Sequence, residues 1–162
     1  RYLLEAIAEA EKIDFTEDEV KARAKEMADN YGISEDELLN AYGLKTLAKG
    51  EENYVEVYEG DGKKRDSSYH QGITWPWLLG LYYNALKNIL KKTKKKDAKK
   101  ELETKLEKFI EKTSKTFQKE ISHNGCIGSI SELYDSRKPY LPKGTIAQAW
   151  SVAEVFRIIL NK

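Results

Sequence analysis

The sequence predicts an all-α protein: amphipathic helices joined by long ordered loops and preceded by a short helical segment. Two observations carry this. Apolar residues recur at helical spacing in the stretches beginning near 20, 75, 97 and 146, and capping-box patterns punctuate the first of them. The intervening stretches are rich in Gly, Asn, Asp and Tyr and show no sustained period of two.

Residues 1–41 read as a helical segment. Leu3, Leu4, Ile7 and Ala8 form one short stripe. Thr16-Glu17-Asp18-Glu19 is a capping box, in which the Thr16 hydroxyl can accept from the Glu19 N–H and the Glu19 carboxylate can reach back. Val20, Ala24, Met27 and Tyr31 follow on one face, and Gly32 is a suitable stop. Ser34-Glu35-Asp36-Glu37 repeats the capping pattern before Leu38 and Leu39.

At Tyr42-Gly43 the texture changes, and residues 43–69 read as an irregular loop with a turn at Gly60-Asp61-Gly62. A loop this long is functional or disordered; Tyr54, Tyr58 and Tyr69 favour order. It leads into Ser68-Tyr69-His70-Gln71-Gly72-Ile73-Thr74-Trp75-Pro76-Trp77, the least average stretch of the chain. Pro76 suits a first helical turn, and Leu79, Tyr82, Tyr83, Leu86 and Leu90 continue at helical spacing. Trp, His and Gln gathered at a helix mouth can hold a sugar, offering a flat face for C–H groups and fixed partners for hydroxyls. The same residues also suit an aromatic helix cap packed in a core. Lys91 to Lys96 reads as the basic end of the helix, complementing its dipole.

Residues 97–121 predict a long amphipathic helix with Leu102, Leu106, Phe109, Ile110 and Phe117 inward. His123 to Gly144 reads as a second irregular stretch carrying Glu132 and Asp135, carboxylates on a loop that could serve acid/base work. In the last helix, which Thr145 can cap, Ile146, Ala149, Trp150, Ala153, Phe156 and Leu160 are expected to face the core.

A net charge of +1 gives no bulk attraction to nucleic acid. No apolar run approaches a membrane span of roughly 20 residues. The single cysteine, Cys126, excludes an internal disulfide and fits a reducing compartment, so a cytoplasmic location is expected. No Cys/His spacing reads as a metal site, and no cofactor is called for. Arg1 in place of Met points to a processed or trimmed chain, and Arg1-Tyr2-Leu3-Leu4, followed at once by acidic residues, is not a secretory leader.

Three blocks in residues 42–162 resemble the C-terminal part of the glycogen debranching enzyme family, the amylo-α-1,6-glucosidase region. They are Tyr58-Glu59-Gly60-Asp61 with Arg65-Asp66 and Tyr69 to Gly80, Gly128-Ser129-Ile130-Ser131-Glu132-Leu133-Tyr134-Asp135, and Gly144-Thr145-Ile146-Ala147-Gln148-Ala149-Trp150-Ser151-Val152-Ala153-Glu154-Val155. The resemblance implies part of an (α/α) toroid. The activity it implies is inverting hydrolysis of an α-1,6 glucosyl branch stub, with an α-glucan oligosaccharide or glycogen branch as partner. Residue by residue, Glu132 matches the general base, and His70, Gln71, Trp75 and Gln148 match positions lining the sugar pocket. The family's general acid lies in a Trp-Met-Asp-type motif that this chain lacks, so hydrolysis by this chain alone is expected to be negligible. A few toroid helices cannot bury both their faces, which predicts self-association or a missing partner chain.

Residues 1–40 resemble the C-terminal chaperone region of trigger factor, through Leu3-Leu4-Glu5-Ala6-Ile7-Ala8, Thr16 to Val20 and Tyr31 to Leu38. That resemblance implies a surface for unfolded polypeptide. The expected junction lies near Asn40-Ala41-Tyr42; an artificial fusion, a gene-fusion relic and a composite sequence all remain open.

Overall fold

In the computed structural model, residues 38–160 are described. The expected helices of residues 1–37 lie outside them. Among the described residues, four helices and four short strands follow in the order β1 (Leu44–Lys45), α1 (Gly62–Ser68), β2 (Thr74–Trp75), α2 (Leu78–Lys92), α3 (Lys96–His123), β3 (Leu133–Tyr134), β4 (Pro142–Lys143) and α4 (Ala149–Leu160).

Helices α2, α3 and α4 pack against one another pairwise. Their meeting faces follow from spacing. Leu79, Tyr83 and Leu86 recur a turn apart on α2, and Phe109 and Phe117 lie two turns apart on α3. These residues join Val155 and Ile158 of α4, with Ile130 and Tyr134, in one buried cluster. Each fully buried side chain of this size contributes on the order of 1.5–3 kcal/mol of transfer free energy. The basic run spans the break between α2 and α3. The Thr93 N–H and hydroxyl both bond the Ile89 carbonyl, at 2.9 and 2.8 Å, and close the end of α2.

The helix-only expectation needs correction. The two stretches taken as irregular contribute strands to one antiparallel sheet, in the order β1-β2-β3-β4. Leu44 pairs with Trp75, Thr74 with Tyr134, and Leu133 with Lys143. Strands of two residues are too short to show an alternation of period two, so they carry no signal in sequence. The first loop also folds one short helix: Asp61 caps α1 by accepting from the Lys64 N–H at 2.9 Å.

Side chains hold the sheet where its ladder is short. The Asn40 amide donates to the Thr74 hydroxyl at 2.5 Å, Thr74 and Ser136 hydroxyls lie 2.8 Å apart, and Ser136 bonds the Gly72 carbonyl. Gly43 permits the close approach of β1 to β2, since a Cβ there would collide with the Trp75 carbonyl. Leu39 bridges to Leu44 and packs on the main cluster, so packing is continuous across residues 41 and 42. A second buried cluster, Ile73, Trp75 and Leu133, lies under the sheet with Tyr58, Tyr69, Trp77 and Leu78 around it.

Helix α4 is turned relative to the expectation. Ser151, Val155 and Ile158 are buried, whereas Ile146, Trp150, Phe156 and Leu160 are exposed. Both faces are apolar, so periodicity could not choose between them. Arg157 fixes the rotation: its guanidinium bonds Asn84 Oδ1 at 3.0 Å and the Gly80 carbonyl at 3.1 Å on α2, while Glu154 neutralises it.

Candidate functional site

Glu132 enters β3 from a segment that runs beside residues 145–148. Its N–H donates to the Thr145 carbonyl at 2.9 Å, and the Gln148 N–H donates to the Ile130 carbonyl at 2.8 Å. The Thr145 N–H returns to Glu132 Oε2 at 2.9 Å. Thr145 therefore serves the carboxylate from the loop ahead of α4. Gly144, with φ +67°, makes this possible: a Cβ there would collide with Glu132 Oε2.

The other carboxylate oxygen, Oε1, accepts a hydrogen bond from the Tyr69 hydroxyl. Both oxygens thus act as acceptors, the hydrogen-bonding role of an ionised carboxylate. The Tyr69 phenol is held well above its ordinary pKa, chiefly by burial and then by its bond to Glu132 and that carboxylate's charge. It stays a proton donor throughout the neutral range.

Tyr69 is itself fixed by rings. It meets Trp75 edge-on at 4.7 Å between centroids and His70 at 4.7 Å. His70 lies nearly parallel to Trp75 at 5.1 Å. The Trp75 indole N–H donates to the Tyr69 carbonyl at 3.1 Å. The structure therefore gathers three of the five expected residues, Glu132, His70 and Trp75, around Tyr69. Trp75 lies deeper than a residue expected to line a sugar pocket. Trp75 is 5 % exposed, with its N–H engaged and His70 along a face, so it shapes the site from beneath and offers no open face to a ligand. Gln71 and Gln148 are anchored through their main chains: the Gln71 carbonyl accepts from Val55 N–H at 2.6 Å, and Gln148 accepts from Val152 N–H at 3.0 Å as α4 begins.

Glu132 is half-buried at the edge of an open groove of about 620 Å³, lined by Tyr58, Glu59, Arg65, Lys143, Gly144 and Thr145 besides Glu132 itself. Arg65 bonds the Gly60 carbonyl at 3.0 Å, and Lys143 lies 3.8 Å from the buried carboxylate of Asp135, which also accepts from the Tyr58 N–H at 2.9 Å. The groove thus joins two carboxylates, Glu59 and Glu132, with two cations and an aromatic ring, a mixture suited to a hydroxyl-rich ligand. Residue types alone did not identify Tyr69, Arg65, Lys143 or the Thr145 N–H. Tyr69 stands next to His70 in the distinctive block, but only pairing across the sheet brings it to Glu132. Among the described residues, no group of three or more His, Cys, Asp or Glu is placed to hold a metal ion, and no helix is long and apolar enough to cross a membrane.

No curated protein and no solved structure matches the chain. A family model, amylo-alpha-1,6-glucosidase, matches residues 18–157. The match covers all three blocks around the groove and begins inside the stretch expected to resemble trigger factor, a resemblance that no comparison supports. With the match extending over most of its length, the chain belongs to the amylo-alpha-1,6-glucosidase family, the C-terminal region of glycogen debranching enzyme.

Proposed function

We propose that the groove receives the α-1,6-linked glucosyl stub of a branched α-glucan and that Glu132 is the general base which activates water for inverting hydrolysis. One observation carries the reading: Oε1 and Oε2 of Glu132 are each held by a donor, Tyr69 and the Thr145 N–H, at the edge of an open polar groove. A base must be oriented before the reaction so that its geometry costs nothing at the transition state. Here two loops far apart in sequence supply that orientation. His70 and Trp75 support Tyr69, while Gln71 and Gln148 sit in the backbone turns that bound the site. We further propose that the three long helices form part of an (α/α) toroid.

The inverting plan needs a second carboxyl group, about 6.5–9.5 Å from the base, to protonate the leaving oxygen. The chain has no Trp-Met-Asp motif to supply it. A missing acid costs on the order of 10²–10⁴-fold in rate, so glucose release from a branched limit dextrin is negligible. α-Glucosyl fluoride separates the two roles, because fluoride leaves without a proton donor. The chain is expected to release fluoride from it slowly, and Glu132→Gln to abolish that release. Absence of release by the unaltered chain, or undiminished release by Glu132→Gln, would remove Glu132 from the role.

A further inference from the structure

We propose that the stacked pair Trp77–Trp150 is a second carbohydrate platform, which holds the α-1,4-linked main chain of a glucan beside the groove. The proposal rests on the reading of the groove given above and extends it to a surface that reading does not use. The two indoles lie nearly parallel, 20° apart, with centroids 4.1 Å from each other. Trp150 is 52 % exposed, which is unusual for the largest apolar side chain. Trp77 backs it from the cluster of Ile73, Trp75 and Leu133, so the outer ring rests on a rigid base.

The three tryptophans have divided their chemistry. The N–H of Trp75 is spent on the Tyr69 carbonyl. Neither the Trp77 nor the Trp150 indole N–H has a hydrogen-bond partner among the described residues, although the Trp77 carbonyl accepts from the Gly80 N–H at 3.1 Å. An open indole face with an unspent donor at its edge is amphipathic in the way a pyranose is: the ring covers the sugar's C–H face and the N–H meets a hydroxyl. The location fits as well. Residues 145–148, which pair with 130–132 at Glu132, lead directly into Trp150. Trp77 follows β2, whose Trp75 supports Tyr69. The same two elements thus carry the platform and the base.

The test uses the full chain and maltoheptaose, an unbranched α-1,4 glucan, titrated calorimetrically. Trp150 is exposed, so substituting it leaves the buried clusters intact. Trp150→Ala is expected to weaken maltoheptaose binding roughly tenfold, the scale of one aromatic stack, while Trp150→Phe retains most of the affinity. No binding by the unaltered chain, or equal affinity in Trp150→Ala, overturns the platform. So does sedimentation showing that Trp150→Ala turns a self-associated chain into a monomer with affinity unchanged, which would assign the surface to a protein partner. Fluoride release dependent on Glu132 is read separately, so failure of the groove and failure of the platform give different results.

Discussion

Tyr134 donates its hydroxyl to Oε1 of Glu120 at 2.8 Å, joining the strand that follows Glu132 to the last turns of α3. Glu120 is 1 % exposed and also accepts from the Asn124 amide at 3.0 Å. A carboxylate so buried is stable only while its lone pairs are satisfied. Tyr134→Phe is therefore expected to destabilise the protein by about 1–3 kcal/mol, the cost of leaving a buried polar group unsatisfied. Adding Glu120→Met should recover part of the loss, because removing both partners removes the orphan. Urea denaturation of the single and double variants checks this; a double variant as unstable as the sum of the singles would contradict it.

Alkaline pH should weaken the fold through the same kind of contact. The Tyr69 and Tyr134 phenols are both pushed up, first by burial and then by Glu132 and Glu120 respectively. In the unfolded chain they ionise near their ordinary value of 10.0. Above that pH the unfolded state has released protons that the folded state retains, so stability falls as pH rises. Below it these two groups contribute their full stabilisation. Denaturation midpoints from pH 8 to 11, both numbers marking roughly the span either side of the free phenol value, should decline less steeply in Tyr69→Phe than in the unaltered chain.

Gly144→Ala should disable Glu132 without touching it. The φ of +67° costs an alanine on the order of 1–3 kcal/mol, and the added methyl collides with Glu132 Oε2. The carboxylate must swing away, breaking its bond from Thr145. Fluoride release from α-glucosyl fluoride should fall nearly as far as in Glu132→Gln, while the circular dichroism of the helices is kept. Retention of full activity would show that the Thr145 contact is dispensable.

Trp75→Ala should unfold the site instead of vacating a sugar subsite. Trp75 is buried with Ile73 and Leu133, and its ring holds both Tyr69 and His70. Truncating a buried aromatic of this size costs about 3–5 kcal/mol. A loss of ligand binding with thermal stability unchanged would restore Trp75 to direct contact with ligand.

The sequence by itself determined the long helices and nominated Glu132 as the candidate base. Leu79, Tyr83, Leu86, Phe109 and Phe117 repeat over enough turns for one face to stand out, and their burial follows the pattern. The distinctive blocks around Trp75, Glu132 and Trp150 were legible as family signatures, and the family match covers them. Tertiary structure alone decided the rest, because the deciding interactions span the chain. Two-residue strands have no period to read, and the Tyr69–Glu132 bond closes a gap of 63 residues. Helix α4 is apolar on both sides, so hydrophobicity left its rotation undetermined. Arg157, bound to Gly80 and Asn84 on α2, set it, and with it the exposure of Trp150.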